Sequence, residues 1–212
     1  VKLGVTKEWK NNITVQLFGS VADYDTYQPL PGKRVFSYRD DDVVNAELGF
    51  KIRYAPGEKK ITTHRKDKKL RTKLPVIELE FAAGVPHILR SEYRYEKIHL
   101  SAEQTFRING FGQISYTAYA GKIIGNDLPF MLLEVHSGNE IYYYNKNSFN
   151  LMNRFEYIGD RYVGFNVEHD FEKKLLNLLP FMRKTGIRQF WNVKAVWSDL
   201  SKEDRILNLK EF

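Results

Sequence analysis

The sequence contains no cysteine, which excludes disulfide cross-links, cysteine-based metal sites and a thiol nucleophile. It also lacks any uncharged apolar run of the roughly 18 residues that a membrane-spanning helix requires. Nucleophile-elbow, phosphate-loop and dinucleotide-binding motifs are absent as well. These absences predict a chain without a bound cofactor, and they leave β-strand patterning as its main structural signal.

The histidines do not form a recognisable metal or catalytic motif. None has metal-ligand spacing to another; they are His64, His87, His99, His136 and His169. The triplet Glu168-His169-Asp170 resembles acid–base machinery, but alternate residues of a strand point to opposite faces, so His169 cannot converge with the two carboxylates. We therefore predict a protein that is not an enzyme and holds no metal.

Strict alternation of apolar and polar residues is the strongest positive signal. From Val44 to Tyr54 every second residue is apolar, and the intervening positions carry Asn45, Glu47, Gly49, Lys51 and Arg53. A period of two is the signature of a β-strand with one apolar and one polar face. The segment therefore predicts a strand that separates two different environments.

The same alternation recurs along the whole chain. Six further strands are predicted at Ile13 to Ala22, Pro75 to Ala83, Tyr93 to Ile108, Ile114 to Lys122, Tyr162 to Phe171 and Arg188 to Ser198. The turn Asn109-Gly110-Phe111-Gly112 predicts a hairpin between the strands Tyr93 to Ile108 and Ile114 to Lys122. Val1 to Val5 also alternates and looks like the middle of a strand.

Together these strands predict an all-β, antiparallel transmembrane β-barrel, apolar toward lipid and polar toward the lumen. Trp191 and Trp197 share one face about 20 Å apart, near the height of a lipid-facing band. We expect one barrel domain over residues 1–212, truncated at both ends, because seven strands and a fragment do not obviously close and bacterial barrels have even strand numbers. Long loops are expected on one side.

Charged residues occupy the face opposite the apolar one. A dry soluble barrel would have to pair these charges, because each ion buried without a partner costs several kcal/mol. A water-filled lumen accommodates them. The candidate lumen-facing residues are Glu47, Lys51, Arg53, Glu78, Glu80, Glu168, Asp170 and Lys194. The alternative is a soluble periplasmic or secreted β-sheet binding module whose charged face is solvated.

Three connections are long: Asp23 to Asp42, Gly57 to Lys73 and Ile123 to Asp160. Long loops in compact domains are usually functional or disordered. We expect the last of them to be ordered, because its tyrosine run would need burial. Its candidate functional residues are His136, Asn139, Tyr142, Tyr143 and Tyr144.

A basic patch lies within the second long connection. Its members are Lys59, Lys60, Arg65, Lys66, Lys68, Lys69, Arg71 and Lys73. Such a run suits nucleic acid or lipid phosphates, but it lacks the interleaved aromatics that stack on bases. We expect a solvated hairpin tip, no nucleic-acid partner, and lipid or lipopolysaccharide of the outer membrane as the surroundings of the protein.

The order of several segments resembles a known family. These segments are His136 to Glu140, Ser148 to Asn153, Phe155 to Val163, Val167 to Phe171, Leu175 to Arg183 and Lys194 to Trp197. They resemble the C-terminal barrel of a Bacteroidota outer-membrane family of unknown function, whose members typically carry a carboxypeptidase-regulatory-like domain ahead of the barrel. More distantly, the chain resembles the bacterial surface antigen superfamily, which includes BamA and TamA.

The resemblance implies an outer-membrane location in a Gram-negative bacterium and a non-enzymatic, surface-antigen-like component that acts with, or anchors, another envelope protein. It also implies further strands after Lys194 to Trp197, and an extracellular loop within Ile123 to Asp160 that folds toward the lumen. The superfamily's inward loop bears an Arg-Gly motif, which is missing here. Translocase or insertase activity is therefore not expected.

Overall fold

A computed structural model of the chain describes residues 1–24, 43–63, 66–70, 72–139, 141–146, 148–153, 156–172, 176–202 and 204. The fold is almost entirely β-structure. Within the described residues the strands are β1 (Lys2–Glu8), β2 (Ile13–Tyr24), β3 (Val43–Tyr54), β4 (Lys59–Thr63), β5 (Lys66–Leu70), β6 (Val76–Gly84), β7 (Tyr95–Ile108), β8 (Gly112–Gly125), β9 (Glu134–Val135), β10 (Ile158–Gly159), β11 (Arg161–Glu172) and β12 (Gln189–Asp199).

Eight of these strands form one antiparallel sheet in the order β1-β2-β3-β6-β7-β8-β11-β12. Each strand therefore pairs with the next long strand of the chain, as in a meander. The prediction of an all-β antiparallel fold is confirmed, and each predicted segment, including the fragment Val1 to Val5, corresponds to a strand of this sheet. The hairpin predicted at Asn109 to Gly112 joins β7 to β8.

The described strands do not close into a barrel. Within the described ranges, β1 pairs only with β2 and β12 pairs only with β11, so both are edge strands. The chain therefore forms an open, eight-stranded antiparallel sheet, as the expectation of an unclosed barrel required.

The register gives the sheet two chemically different faces. On one face, called the apolar face, Leu17 lies opposite Phe50, which stacks on Phe81 with ring centroids 5.5 Å apart. On the other, called the polar face, Lys51 lies opposite Glu80 in the neighbouring strand. The alternation along each strand is kept in register across the sheet because antiparallel partners share a face.

The most deeply buried apolar cluster lies at one end of the polar face. It consists of Tyr95, Ile123, Leu128, Leu132, Leu133 and Leu200. Tyr95 and Ile123 come from the sheet, and the others come from the segments that follow β8 and β12. The chain therefore buries apolar side chains where its longest loop returns to the sheet, while much of the apolar face stays exposed.

The two ends of the sheet differ in their connections. At the end called the loop end, β7 begins, β8 leads into residues 126–160, and β2 leads toward residues 25–42, which lie outside the described ranges. At the other, called the turn end, short turns join β1 to β2 and β7 to β8. Gly57 to Lys73 also emerges at the turn end and contains the β4–β5 hairpin. The expectation of long loops on one side is wrong, because β3 runs toward the turn end.

Helical structure is minor. The described residues include a single 3₁₀ turn at Leu176–Leu178, in the β11–β12 connection, and Lys202 and Asp204 after β12 are also helical. Among those residues, no helix is long and apolar enough to cross a membrane.

Candidate functional site

The charged residues predicted to face a lumen all lie on the polar face, and several of them are paired. Lys51 Nζ lies 2.6 Å from Glu78 Oε1 and 3.4 Å from Glu80 Oε2. The Arg53 guanidinium donates to both carboxylate oxygens of Glu58, at 2.9 and 2.8 Å. Glu47, Glu168, Asp170 and Lys194 occupy the same face by register. The sheet thus presents a wall of paired charges.

The connection between β8 and β11, residues 126–160, lies across this polar face and is called the covering loop. Its two arms pair with each other through β9 and β10. Near the loop end, Lys97 Nζ of β7 lies 3.2 Å from Glu134 Oε2 of the covering loop. Farther along, Lys146 Nζ lies 2.5 Å from Glu168 Oε1 of β11. The covering loop therefore follows the polar face over much of the length of the strands.

An aromatic cluster anchors the covering loop to the sheet. His136 of the loop packs edge-on against Tyr162 of β11, with ring centroids 5.4 Å apart, and against Phe149 at 6.5 Å. Tyr162 is 1% exposed, and its hydroxyl is hydrogen-bonded to Nδ1 of His99 at 2.7 Å. The ring centroid of Tyr119 lies 6.2 Å from those of both His99 and Tyr162. Burial of these aromatic rings stabilises the docked position of the covering loop.

Glycines in the strands make room for the large rings of the cluster. A Cβ atom added at Gly121 would lie 2.4 Å from the Tyr162 ring, and one at Gly164 would lie 2.4 Å from the Tyr119 ring. Each ring therefore occupies the space that a side chain of the neighbouring strand would otherwise fill. This arrangement explains why two strands rich in β-formers carry interior glycines.

A second contact, called the lysine latch, holds the covering loop nearer the turn end. The ammonium group of Lys194 on β12 donates to the backbone carbonyl oxygens of Lys146 and Ser148, at 2.8 Å for the latter. Lys146 in turn pairs with Glu168. The same turn of the covering loop is therefore bound to β12 through Lys194 and to β11 through Lys146.

Asparagines brace the turn that the latch grips. Asn150 Oδ1 accepts from the Asn139 side chain and from the backbone N–H of Asn145, both at 2.8 Å. Asn139 Nδ2 also donates to the carbonyl of Tyr143 at 2.9 Å, and its Oδ1 accepts from the N–H of Ile141. Asn139, a predicted functional residue, therefore shapes the loop tip.

The burial expected for the tyrosine run is wrong. Tyr142 is fully exposed, Tyr143 is 78% exposed, and Tyr144 is half-exposed against Phe190, at 5.7 Å between ring centroids. The tip needs no tyrosine burial because the asparagine bonds and the lysine latch order it. The run therefore presents aromatic surface to the surroundings.

The side chains of the Glu168-His169-Asp170 triplet do not converge in the structure. Glu168 and Asp170 lie on the polar face, whereas His169 lies on the apolar face, where Nε2 is 2.8 Å from the carbonyl oxygen of Phe111. This separation agrees with the prediction from strand alternation. Within the described part of the chain, no three histidine or acidic side chains cluster as metal ligands would.

A cavity of about 460 Å³ lies between the polar face and the loop tip. Hydroxyl, amide and charged side chains line it, including Thr105, Ser115, Lys146, Glu168 and Asp170. The covering loop therefore does not fill the polar face completely. Such a lining suits water and polar ligands rather than an apolar one.

The predicted basic patch lies in and next to the β4–β5 hairpin. Lys59 begins β4 and Lys66, Lys68 and Lys69 lie in β5, at the turn end, while Lys59 and Lys73 have exposed side chains. Lys60 lies opposite Lys69 in the hairpin. Arg65 and Arg71 lie outside the described residues.

Comparison with known proteins identifies a family. Residues 6–203 match the model described as "Family of unknown function (DUF5686) C-terminal domain". The chain belongs to this family. No curated protein and no solved structure matches the chain. The expected resemblance to the C-terminal part of a family of unknown function is confirmed in that form.

Several residues of the site carry no signal in the sequence. Tyr162 and His99 look like ordinary strand residues, and Lys146 and Asn150 look like ordinary loop residues. The aromatic cluster is indicated only by two interior glycines. Once the register is known, Gly121 lies opposite Tyr162 and Gly164 opposite Tyr119. A search for glycine–tyrosine pairs across neighbouring strands would have found it.

We expect Lys194→Met to loosen the covering loop while leaving the sheet intact. Hydrogen bonds to a charged group contribute about 1.5–3 kcal/mol, so the open population should rise about 10- to 100-fold. A spin label on Tyr142→Cys reports the change as increased mobility, and these 212 residues hold no competing cysteine. Lys10→Met, at an exposed lysine in the β1–β2 turn, is the matched control. Equal mobility in both variants would contradict the latch.

Docking of the covering loop should weaken in acid. His136 is 4% exposed and its Nε2 has no hydrogen-bond partner among the described residues. Burial lowers the pKa of His136 below its ordinary value of 6.5, and Glu134 only partly opposes this. The open loop therefore binds the proton more tightly than the docked loop. Docking is fully stable above about pH 6.5 and is lost progressively as the pH falls toward the lowered pKa.

The same spin label tests this pH dependence. Label mobility should rise between pH 7.5 and pH 5.5, and His136→Phe should remove most of that rise because it keeps an aromatic ring without a titrating nitrogen. His87→Asn, an exposed histidine in another loop, should leave the profile unchanged. A wild-type profile in His136→Phe would exclude His136 as its source.

Proposed function

We propose that this chain forms part of the wall of a transmembrane β-barrel in the outer membrane of a Gram-negative bacterium of the Bacteroidota. The observation that carries the proposal is the exposed apolar face, which continues across all eight strands of the sheet. Trp197 is 59% exposed, Leu48 56% and Val163 55%. Soluble monomers rarely expose continuous apolar patches larger than a few hundred Å². Lipid is the surrounding that stabilises such a face.

The polar face supports the same proposal. Its charges are paired, as in Lys51 with Glu78, yet remain partly accessible, which suits a hydrated lumen. The covering loop then corresponds to an extracellular loop folded into that lumen, as in the surface antigen superfamily that the sequence resembles. In this chain Lys146 and Lys194 hold the loop, in place of an Arg-Gly motif.

The edge strands require partners in this arrangement. In lipid, unpaired backbone N–H and C=O groups cost several kcal/mol each, so β1 and β12 cannot remain free at the hydrocarbon level. Strands from elsewhere in the assembly therefore complete the barrel. The eight strands described here supply one continuous part of its wall.

We propose further that the protein is a non-enzymatic, surface-antigen-like component that anchors or receives another envelope protein. The contact surface is the polar face with its covering loop, whose tip presents Tyr142 and Tyr143. Exposed tyrosines are common at binding surfaces because they supply a large amphipathic contact area. The proposal assigns the loop tip to recognition and the paired charges to rigidity of the wall.

Membrane fractionation of the full-length protein tests the location. We expect it in the outer-membrane fraction, resistant to a carbonate wash and extracted only by detergent. Recovery in the soluble fraction without detergent would instead support a soluble periplasmic or secreted β-sheet binding module. Affinity purification in mild detergent tests the partner, and a protein that always purifies alone would contradict the anchoring role.

A further inference from the structure

The net charge of the chain is concentrated in one short segment. The chain has 33 basic and 26 acidic residues and a net charge of +7. Residues 59–73 contain eight of the basic residues and only one acidic residue, Asp67. This leaves 25 basic and 25 acidic residues in the rest of the chain, which is therefore neutral. The basic character of the protein belongs to this segment alone.

The backbone of this segment forms a hairpin that pairs only with itself in the described structure. β4 and β5 make a separate two-stranded sheet, with Lys60 opposite Lys69 and Thr62 opposite Asp67. Like charges directly opposite one another destabilise a strand pair, and an isolated two-stranded hairpin is marginal in water. An anionic partner would relieve this repulsion.

The root of the hairpin lies at the border of the apolar face. β3 ends at Tyr54 and β6 begins next to Ile77, and these two residues are paired on the apolar face with more than 40% of each side chain exposed. The cationic hairpin continues from this border at the turn end. In a membrane, the layer beyond the edge of the hydrocarbon is the layer of headgroups.

We propose that the β4–β5 hairpin binds the phosphate groups of membrane lipids at the turn end of the sheet. This inference rests on the proposed membrane location. Charge complementarity and continuity with the apolar face both favour lipid as the source of the phosphates. A basic segment held at an anionic membrane surface is attracted in proportion to its number of lysines and arginines.

Hydrogen–deuterium exchange on the full-length protein in lipid nanodiscs tests the inference. The probes are discs of phosphatidylcholine alone and discs in which about a third of the lipid is phosphatidylglycerol. We expect amide exchange in residues 59–63 and 66–70 to slow about tenfold in the anionic discs at low salt, and this slowing to vanish in about 0.5 M salt. Amides of β7 and β8 should exchange equally in both discs.

Variants separate charge from fold. Replacing Lys60, Lys66, Lys68 and Lys69 together with glutamine should abolish the slowing, whereas the same four changes to arginine should keep it. Lys10→Gln with Lys184→Gln removes two exposed charges from the same end and should have no effect. Slowing that persists in the glutamine variant would overturn the proposal.

Three further outcomes would also overturn it. Equal exchange in neutral and anionic discs would remove the hairpin proposal while leaving the membrane location intact, and failure to enter either disc would remove both. Protection by double-stranded DNA, at matched phosphate concentration, as strong as that by anionic discs would show a general polyanion site rather than a lipid site.

Discussion

Arginine in place of Phe165 should prevent stable insertion of the full-length protein into a bilayer. Phe165 lies on the apolar face of β11, opposite Ala118 and Ala195, and is 46% exposed. Its row lies between those of Trp191 and Trp197, and so near the middle of the proposed lipid band. Arginine at the midplane of a transmembrane barrel costs about 2–4 kcal/mol. Folding into vesicles, followed by urea titration, measures the loss.

A control on the other face makes this result specific. Thr117 of β8 lies on the polar face, opposite Glu103 and Asn166, so Thr117→Arg places the same group next to a carboxylate. It should insert nearly as well as the wild type. If the sheet instead faces water on both sides, Phe165→Arg should change stability by less than about 1 kcal/mol, as surface substitutions usually do. Equal behaviour of the two variants would contradict the membrane proposal.

Strands and their faces could be predicted because the signal is local. An alternation such as Val44 to Tyr54 states both that a strand forms and which residues share a face. Every lumen-facing candidate, from Glu47 to Lys194, therefore falls on one face once the strands are in register. Whether that face borders a lumen is a separate matter, which the fractionation and Phe165→Arg experiments address.

Loop placement could not be predicted in the same way. The contacts of Lys146 with Glu168, and of His136 with Tyr162, join residues that only the tertiary fold brings together. The predicted burial of the tyrosine run was wrong for a related reason. The exposure of Tyr142 depends on which side of the loop contacts the sheet, and the sequence of an irregular loop has no periodicity that indicates this side. The end of the sheet at which Gly57 to Lys73 emerges is likewise set by the direction of β3, and the composition of the connection itself does not reveal it.

The covering loop combines an acid-sensitive contact with a charge-based one. His136 docks by burying an uncharged imidazole, whereas Lys194 docks by donating to carbonyl groups. The two contacts respond to different conditions, since acid charges His136 but leaves the ammonium of Lys194 unchanged. Loss of either contact should therefore raise the mobility of the Tyr142→Cys label, in acid through His136 and at any pH in Lys194→Met.

Valine in place of Gly121 should destabilise the sheet and displace the covering loop at the same time. Even a single Cβ atom at Gly121 would lie 2.4 Å from both Cζ and the hydroxyl oxygen of Tyr162. The Tyr162 ring is also in contact with His99 and His136, and these contacts restrict how far it can move away. Overpacking of this kind typically costs about 1–3 kcal/mol, and we expect a value at the upper end of that range.

Ala118→Val is the matched control for Gly121→Val, because Ala118 lies in the same strand but is exposed on the apolar face. It should leave stability within about 0.5 kcal/mol of the wild type. The urea midpoint reports the stability of the sheet, and the Tyr142→Cys spin label reports the loop. Since Tyr162 connects the two, Gly121→Val should change both readouts together. A lower midpoint with an immobile label would mean that the lysine latch alone keeps the covering loop on the polar face.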